Sequence, residues 1–477
     1  MQRRTKIVTT LGPATDDPAV LSAMIRGGAD VVRINFSHGR PEEHARRMEL
    51  VRAAAASVDR PVGVLGDLRG PKIRIERFAA GPVTLDEGQE FTLDVSLDAD
   101  AGTVKSVGVA YKELPRDVRA RDVLLLDDGH VILDVEKVEG PRIHTRVRTG
   151  GALSDHKGIN RQGGGLSAGA LTDQDRADIR VAADLGVDYV AVSFARDADD
   201  INEARKLLRD AGGVGGIVAK IERSEAIQNL PAIFDASDVV MVARGDLGVE
   251  MGYAELTGLQ KTIIHQTRNR HRVVITATQM MESMIHSPMP TRAEVSDVSN
   301  AVMDGTDAVM LSAESAVGKY PVKAVETMAE IIQGAEKYQL AHSRVRHRVE
   351  GQFRGTDEAI AMAVMYTANH LKVRAIVALT ESGSTPQWMS RIRSDIPIYA
   401  FTRHEHTQRR VTLYRGVYPV PFDLTHSEPE ILYPAVFEKL LKRKLVAIGD
   451  LVILTKGELS GVSGGTNALL ILKVTAG

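Results

Sequence analysis

Short apolar, β-branched runs recur along the first two thirds of the chain, each ending in glycine or polar residues. They fall at 6–10 (KIVTT), 31–36 (VVRINF), 62–67 (VGVLGD), 189–194 (YVAVSF), 217–222 (IVAKIE), 239–246 (VVMVARGD), 273–278 (VVITAT) and 307–314 (DAVMLSAE). Runs without polar alternation predict strands buried on both faces of a parallel sheet. Helix-period stretches lie between most of them, at 18–26, 42–56, 172–185 and 320–338. The third opens on Thr172-Asp173-Gln174-Asp175, a capping box with an acid in the reciprocal position. Eight strands alternating with helices predict α/β architecture, a (β/α)8 barrel of the TIM type. Spacing alone also fits a doubly wound sheet.

The rhythm breaks once. The third and fourth runs lie about 120 residues apart, where the others are roughly 20–35 apart. The excess, 71–166, reads as alternating short strands, and Asp128-Gly129 between apolar runs is a hairpin signal. This predicts an all-β domain, an inserted β-barrel lid, on a loop at the face where such barrels keep their active sites. A basic, non-periodic stretch at 342–348 (HSRVRHR) reads as a solvated linker. Helix and strand patterns restart beyond it, at 359–370, 375–380, 398–401, 451–455 and 469–473. The predicted domains are therefore a barrel of 1–70 and 167–341, a lid of 71–166 and a C-terminal α/β domain of 342–477. Gly163, Gly164 and Gly165 read as a hinge, and the glycines of 212–216 as a helix-to-strand loop.

Composition narrows the chemistry. The 477 residues carry 60 basic and 62 acidic side chains, a formal charge of −2, which argues against a dominant nucleic-acid or anionic-membrane surface. Cysteine is absent, which excludes disulfides, thiolate metal sites and cysteine nucleophiles. No apolar run approaches the roughly 18 residues of a membrane span, and the basic start has too short an apolar stretch for a signal peptide. The expectation is a cytoplasmic protein. No phosphate-binding G-x-x-x-x-G-K-[ST] and no H-E-x-x-H occurs.

The strand ends carry the candidate chemistry. Lys220 and Glu222 alternate at the end of one strand, and Arg244, Gly245 and Asp246 end the next. Thr278 closes a third; Arg33, Asn35 and Ser37 alternate on the second; Asp67, Lys72 and Arg74 follow the third. Charged groups converging on one barrel mouth are costly unless they hold a charged ligand. Two carboxylates, Glu222 and Asp246, suit a Mg²⁺ whose remaining ligands are water and substrate oxygens. Arg33, Arg74 and Lys220 suit a phosphoryl group in transit.

These residues fall in motifs that resemble pyruvate kinase over essentially the whole chain. The motifs are 5–15 (TKIVTTLGPAT), 33–39 (RINFSHG), 217–222 (IVAKIE), 243–248 (ARGDLG), 277–284 (ATQMMESM), 290–294 (PTRAE) and 311–314 (LSAE). The stretch 66–73 (GDLRGPKI) further resembles a bacterial subgroup often called type II. The resemblance implies a homotetramer that moves the phosphoryl group of phosphoenolpyruvate to ADP, giving ATP and pyruvate, with Mg²⁺ or Mn²⁺. By position it implies that Glu222 and Asp246 hold Mg²⁺ and that Lys220 neutralises the moving phosphoryl group and the enolate. Gly245, Asp246 and Thr278 hold the substrate carboxylate, and Arg33 reaches the transferring phosphate. Arg33, His38, Arg74 and Lys157 contact the nucleotide. The resemblance leaves the direct proton donor to the enolate open; Thr278 acting through water, with Ser312 nearby, is the candidate. Asn35, Ser37, Asp67 and the Leu68 carbonyl match a monovalent-cation site, with K⁺ use in question because relatives that need K⁺ carry glutamate where this chain has Lys72. Thr380, Ser382, Gly383, Ser384 and Thr385 form a loop suited to a phosphorylated allosteric effector, which the small-residue loop 460–467 would close over. Two rival readings are a Mg²⁺-dependent barrel lyase acting on a pyruvate enolate and a non-catalytic regulator on a dead scaffold. The lid, Lys157 and Arg74 favour a kinase over the first, and the retained site residues count against the second.

Overall fold

The computed structural model describes residues 2–342, 353, 355–423, 428–457 and 465–475. Eight parallel strands close into a barrel. They are β1 (Lys6–Thr10), β2 (Val31–Asn35), β3 (Gly63–Asp67), β4 (Tyr189–Val192), β5 (Gly216–Ile221), β6 (Val239–Ala243), β7 (Val273–Ala277) and β8 (Ala308–Leu311). They neighbour one another in chain order, and β8 returns to pair with β1, Lys6 opposite Ala308. The closed ring removes the doubly wound alternative. Every residue of β1, β3, β4, β6, β7 and β8 is buried, which is why these runs lack polar alternation.

Several strands stop short of the apolar run that predicted them. Strand β6 ends at Ala243, and Arg244–Met251 is a helix; β8 ends at Leu311, and Ala313–Ala316 is helical. The polar ends of these runs are turns and first helical turns rather than strand. The capping box forms as read: the Asp175 N–H donates to Thr172 Oγ1 at 3.1 Å and the Thr172 N–H to Asp175 Oδ2 at 2.9 Å. The helix runs Asp173–Asp184.

The described residues form two compact units, one of 1–66, 185–189 and 264–477, the other of 67–184 and 190–263. The second unit contains the insertion. It comprises a six-stranded sheet, a two-stranded sheet (Val83–Leu85 with Gly151–Leu153) and a short helix, Leu114–Asp117. Val123–Leu126 and Val131–Glu139 pair antiparallel across the Asp128-Gly129 turn, with Leu126 opposite Val131. Phe91, Leu93, Leu124 and Leu133 fill the insertion's core. The return from the insertion passes through Gly163, Gly164 and Gly165, all at positive φ. A Cβ on Gly164 would lie 1.8 Å from Ser224 Oγ, so this close approach requires glycine.

The first unit contains the C-terminal sheet: β9 (Ala375–Leu379), β10 (Ile398–Thr402), β11 (Val417–Pro421), β12 (Leu451–Gly457) and β13 (Thr466–Lys473), in the order β11-β10-β9-β12-β13. Strand β11 is not among the runs read from the sequence, and it carries Pro419 and Pro421. Proline lacks the N–H that a central strand must donate, and β11 is at the sheet's edge, where that loss is tolerated. Residues 343–348 of the basic stretch and 460–464 of the second effector loop lie outside the described residues. No helix among the described residues is long and apolar enough to cross a membrane.

Candidate active site

In the second unit, Lys220 is the centre of a charged cluster. Its ammonium lies 2.9 Å from Glu222 Oε1 and 3.3 Å from Asp67 Oδ1, and donates to Ser193 Oγ at 2.6 Å. Ser193 donates its own proton to the Leu68 carbonyl at 2.8 Å, which turns an oxygen lone pair toward the ammonium. The Phe194 N–H donates to Glu222 Oε2 at 2.7 Å. Asp67 and Glu222 are almost fully buried. Burial pushes the Glu222 carboxyl up, the Asp246 charge adds to that, and Lys220 opposes it.

Asp246 stands in the first turn of Arg244–Met251. Lys72 reaches it from the start of the insertion: its Nζ is 3.5 Å from Asp246 Oδ1 and 3.6 Å from Asp128 Oδ1. Burial alone would lower the Lys72 pKa, but Asp246 and Asp128 outweigh it, and the net shift is upward. Lys72 therefore stays charged. Three carboxylates, Asp67, Glu222 and Asp246, face two ammonium groups, Lys72 and Lys220. This donor set fits a hard divalent cation: it offers oxygen ligands and carries negative charge that burial makes costly. Among the described residues no cluster of three or more His, Cys, Asp or Glu side chains is arranged as a metal cage. A two-carboxylate site is the kind Mg²⁺ occupies with substrate oxygens completing its shell.

The insertion supplies two further candidate cations. Lys157 pairs with Asp127 at 2.8 Å, and Arg74 donates to the His156 carbonyl at 2.7 Å.

In the first unit, Arg33 donates to Thr10 Oγ1 at 3.1 Å, which links the ends of β1 and β2. Asn35 Oδ1 accepts the Ser37 N–H at 3.1 Å, and His38 is exposed. Thr278 follows β7 with φ of 65°, a left-handed conformation that a β-branched residue rarely adopts. Its hydroxyl donates to the Ala277 carbonyl at 2.7 Å. The Ser312 N–H donates to Glu314 Oε2 at 2.7 Å, and the Met281 N–H to Glu314 Oε1 at 3.1 Å, so one buried carboxylate ties the ends of β7 and β8 together. In the second unit, Phe194, after β4, is likewise left-handed, at φ 56°.

Sequence reading did not single out Ser193 or Glu314. Ser193 is the one polar residue of YVAVSF, and that was its only signal. In the C-terminal sheet, Thr380 Oγ1 accepts the Gly383 N–H at 2.9 Å, and Thr385 and Thr466 share a hydroxyl contact of 2.7 Å. The loop's own Glu381 is engaged by His404 and, at 3.6 Å, by Arg403.

One buried acid lies beside the hinge. Burial pushes Glu250 up to about 7, while it accepts the Ser224 N–H at 2.9 Å. A carboxyl raised in the folded state holds its proton between the unfolded value near 4.3 and about 7, so stability falls as pH rises through that window. Glu250→Gln keeps the acceptor and removes the titration. The decline in melting temperature from pH 5 to pH 8 should be shallower in that variant, measured by scanning fluorimetry; an unchanged slope would assign the pH dependence elsewhere.

With this geometry in place, the comparisons with known proteins are direct. The family profile "Pyruvate kinase, barrel domain" matches residues 2–325, and "Pyruvate kinase, alpha/beta domain" matches residues 358–472. The chain belongs to the pyruvate kinase family and is a phosphotransferase. Within it, the chain is 55% identical to pyruvate kinase II of Salmonella typhimurium over 99% of both chains, and so is of the type II kind. It is 52% identical to pyruvate kinase of Haemophilus influenzae over 95% of this chain and 96% of that one. It is 41% identical to pyruvate kinase of Geobacillus stearothermophilus, over 99% of this chain and 80% of the relative.

Proposed function

We propose that this chain catalyses phosphoryl transfer from phosphoenolpyruvate to ADP in the cytoplasm, with the barrel rim as active site and 71–166 as lid. The observation that carries the reading is the Lys220 ammonium, held by Asp67, Ser193 and Glu222 beside the two carboxylates Glu222 and Asp246. Glu222 and Asp246 would hold Mg²⁺. When bound, that ion supplies positive charge to the phosphoryl and enolate oxygens. The bond from phosphorus to the enol oxygen breaks as one forms to an oxygen of the ADP β-phosphate. The negative charge left on the enolate oxygen faces the Lys220 ammonium, which is stabilisation aimed at charge that develops in the transition state. Arg33 steadies the phosphoryl group, and Gly245, Asp246 and Thr278 orient the carboxylate. His38, Arg74 and Lys157 take the nucleotide phosphates, with Arg74 and Lys157 exchanging the His156 carbonyl and Asp127 for them. A proton from water then adds to C3 of the enolate, passed by way of Thr278 with Ser312 nearby. Purified enzyme should release pyruvate in strict proportion to ADP supplied, and chelation of divalent ions should stop it. Pyruvate release without ADP would favour a lyase.

Asn35, Ser37, Asp67 and the Leu68 carbonyl outline the monovalent-cation site. The assembly we propose is a homotetramer. Thr380, Ser382, Gly383, Ser384 and Thr385 are the effector loop, where a phosphorylated metabolite would draw His404 and Arg403 away from Glu381. Sugar monophosphates and AMP, screened at subsaturating phosphoenolpyruvate, should include an activator whose effect is lost in Ser384→Glu. No response to any of them would refute the effector site.

A further inference from the structure

Lys220 owes its position to two strands other than its own. Asp67 ends β3, and Ser193 follows β4 directly. These strands are neighbours, joined near this end by the Leu68 N–H donating to the Ala191 carbonyl at 3.0 Å. At the opposite end they are joined by Asp188, just before β4. Its N–H donates to the Val64 carbonyl at 2.9 Å, and its Oδ2 accepts the Val64 N–H at 2.8 Å.

That opposite end rests on one short segment of the C-terminal domain, the helix Glu405–Arg410 and the turn after it. Arg409 Nε donates to Asp188 Oδ1 at 3.0 Å. The hydroxyl of Tyr189, itself fully buried, donates to the Arg410 carbonyl at 2.7 Å. A Cβ on Gly63 would lie 2.9 Å from both the Arg409 carbonyl and Thr412 Oγ1, so β3 begins against this backbone with no room between. Arg52 also approaches Asp188, at 3.6 Å, and Glu405 approaches Arg409, at 3.3 Å. Asp188 is therefore a buried carboxylate with two guanidinium partners, of which only Arg409 comes from the C-terminal domain. The same helix holds the loop at 380–385, since Thr407 Oγ1 donates to the Glu381 carbonyl at 2.7 Å.

We propose that Arg409, through Asp188, is a positioning residue for Lys220: it fixes the seating of β3 and β4, and so the placement of Asp67 and Ser193 around the ammonium. Hydrogen-bonded strands are stiff along their axes, so a displacement at one end of this pair appears at the other. The proposal rests on the catalytic role given to Lys220 above. It adds that the C-terminal domain acts on kcat through Arg409 and Asp188, which touch neither substrate nor metal.

The test is steady-state kinetics on the full-length enzyme, beginning with the wild type, whose ADP-dependent turnover checks the catalytic reading separately. Arg409→Leu should lower kcat about tenfold with KM for phosphoenolpyruvate changed by less than about twofold, and Arg409→Lys should recover most of the loss. Ser193→Ala removes one of the partners through which Arg409 is argued to act. In the Arg409→Leu/Ser193→Ala double variant the combined loss should be at least about threefold smaller than the product of the two single losses, because independent distant sites multiply and sites in series do not. If Arg409→Leu does not fold, Tyr189→Phe, which deletes only the hydroxyl on the Arg410 carbonyl, takes its place in the same cycle. Strictly multiplicative losses, a change confined to KM, or unchanged kcat in the folded variants would each overturn the proposal.

Discussion

Replacing Lys220 with methionine should lower kcat by about three to four orders of magnitude while phosphoenolpyruvate and Mg²⁺ still bind. Each factor of ten is about 1.4 kcal/mol of barrel-rim stabilisation lost at the transition state. The geometry says why kcat should suffer more than KM. In the free enzyme the ammonium is already neutralised by Asp67 and Glu222, so it offers little net charge to an incoming ground-state substrate. It becomes valuable as the enol oxygen gains charge. Methionine keeps the length and loses the cation, which leaves Asp67 and Glu222 buried with no partner from Lys220. The melting temperature must therefore be followed alongside turnover, and the comparison made on folded protein. A loss confined to KM would take Lys220 out of the catalytic role.

The enzyme should also run without potassium. The Lys72 ammonium stands 3.5 Å from Asp246, and it is held charged there by Asp246 and Asp128. A fixed cation beside Asp246 would supply the positive charge for which relatives with glutamate at this position are expected to need K⁺. It also repels a second one: two unit charges about 4 Å apart interact by roughly 4 kcal/mol at an effective dielectric near 20. In buffers of Tris or cyclohexylammonium salts, free of sodium and potassium, activity should be within a few-fold of that with K⁺. Activation by K⁺ of tenfold or more would count against Lys72 as a substitute. Lys72→Glu reverses the charge and should make turnover depend on K⁺, and an unchanged K⁺ response in that variant would count equally against it.

The barrel was legible in the sequence because its strands are buried on both faces. Residues such as Val239, Val240, Met241 and Val242 have no solvent side to be polar on, and the apolar run marks the strand. The ends were less legible, since Arg244, Gly245 and Asp246 continue the run as letters but turn into a helix in space. The candidate site was read from charged residues at strand ends, and the structure brings Lys220, Glu222 and Asp67 of that set into one cluster. That signal fails for Ser193, whose role depends on one oxygen between the Leu68 carbonyl and the Lys220 ammonium. It fails for Lys72 in another way. Its residue type suggested a cation near the pocket, but that it would bridge Asp246 and an insertion residue, Asp128, depends on the fold of the insertion. Strand β11, absent from the runs read in the sequence, carries two prolines that only its place at the sheet edge makes compatible with a strand.

The left-handed backbone at Phe194 and Thr278 bears on any effort to make this enzyme more heat-resistant. Conformations of this kind cost on the order of 1–3 kcal/mol each, and here both follow barrel strands at the rim. Glycine at either position would relax the backbone, but at 194 it would free the N–H from its fixed aim at Glu222 and remove a ring that packs beside Gly70, and at 278 it would delete the hydroxyl altogether. Relief of backbone strain at these two turns is thus tied to loss of the groups they place at the rim. Durable variants should come from the helices and loops far from these two turns.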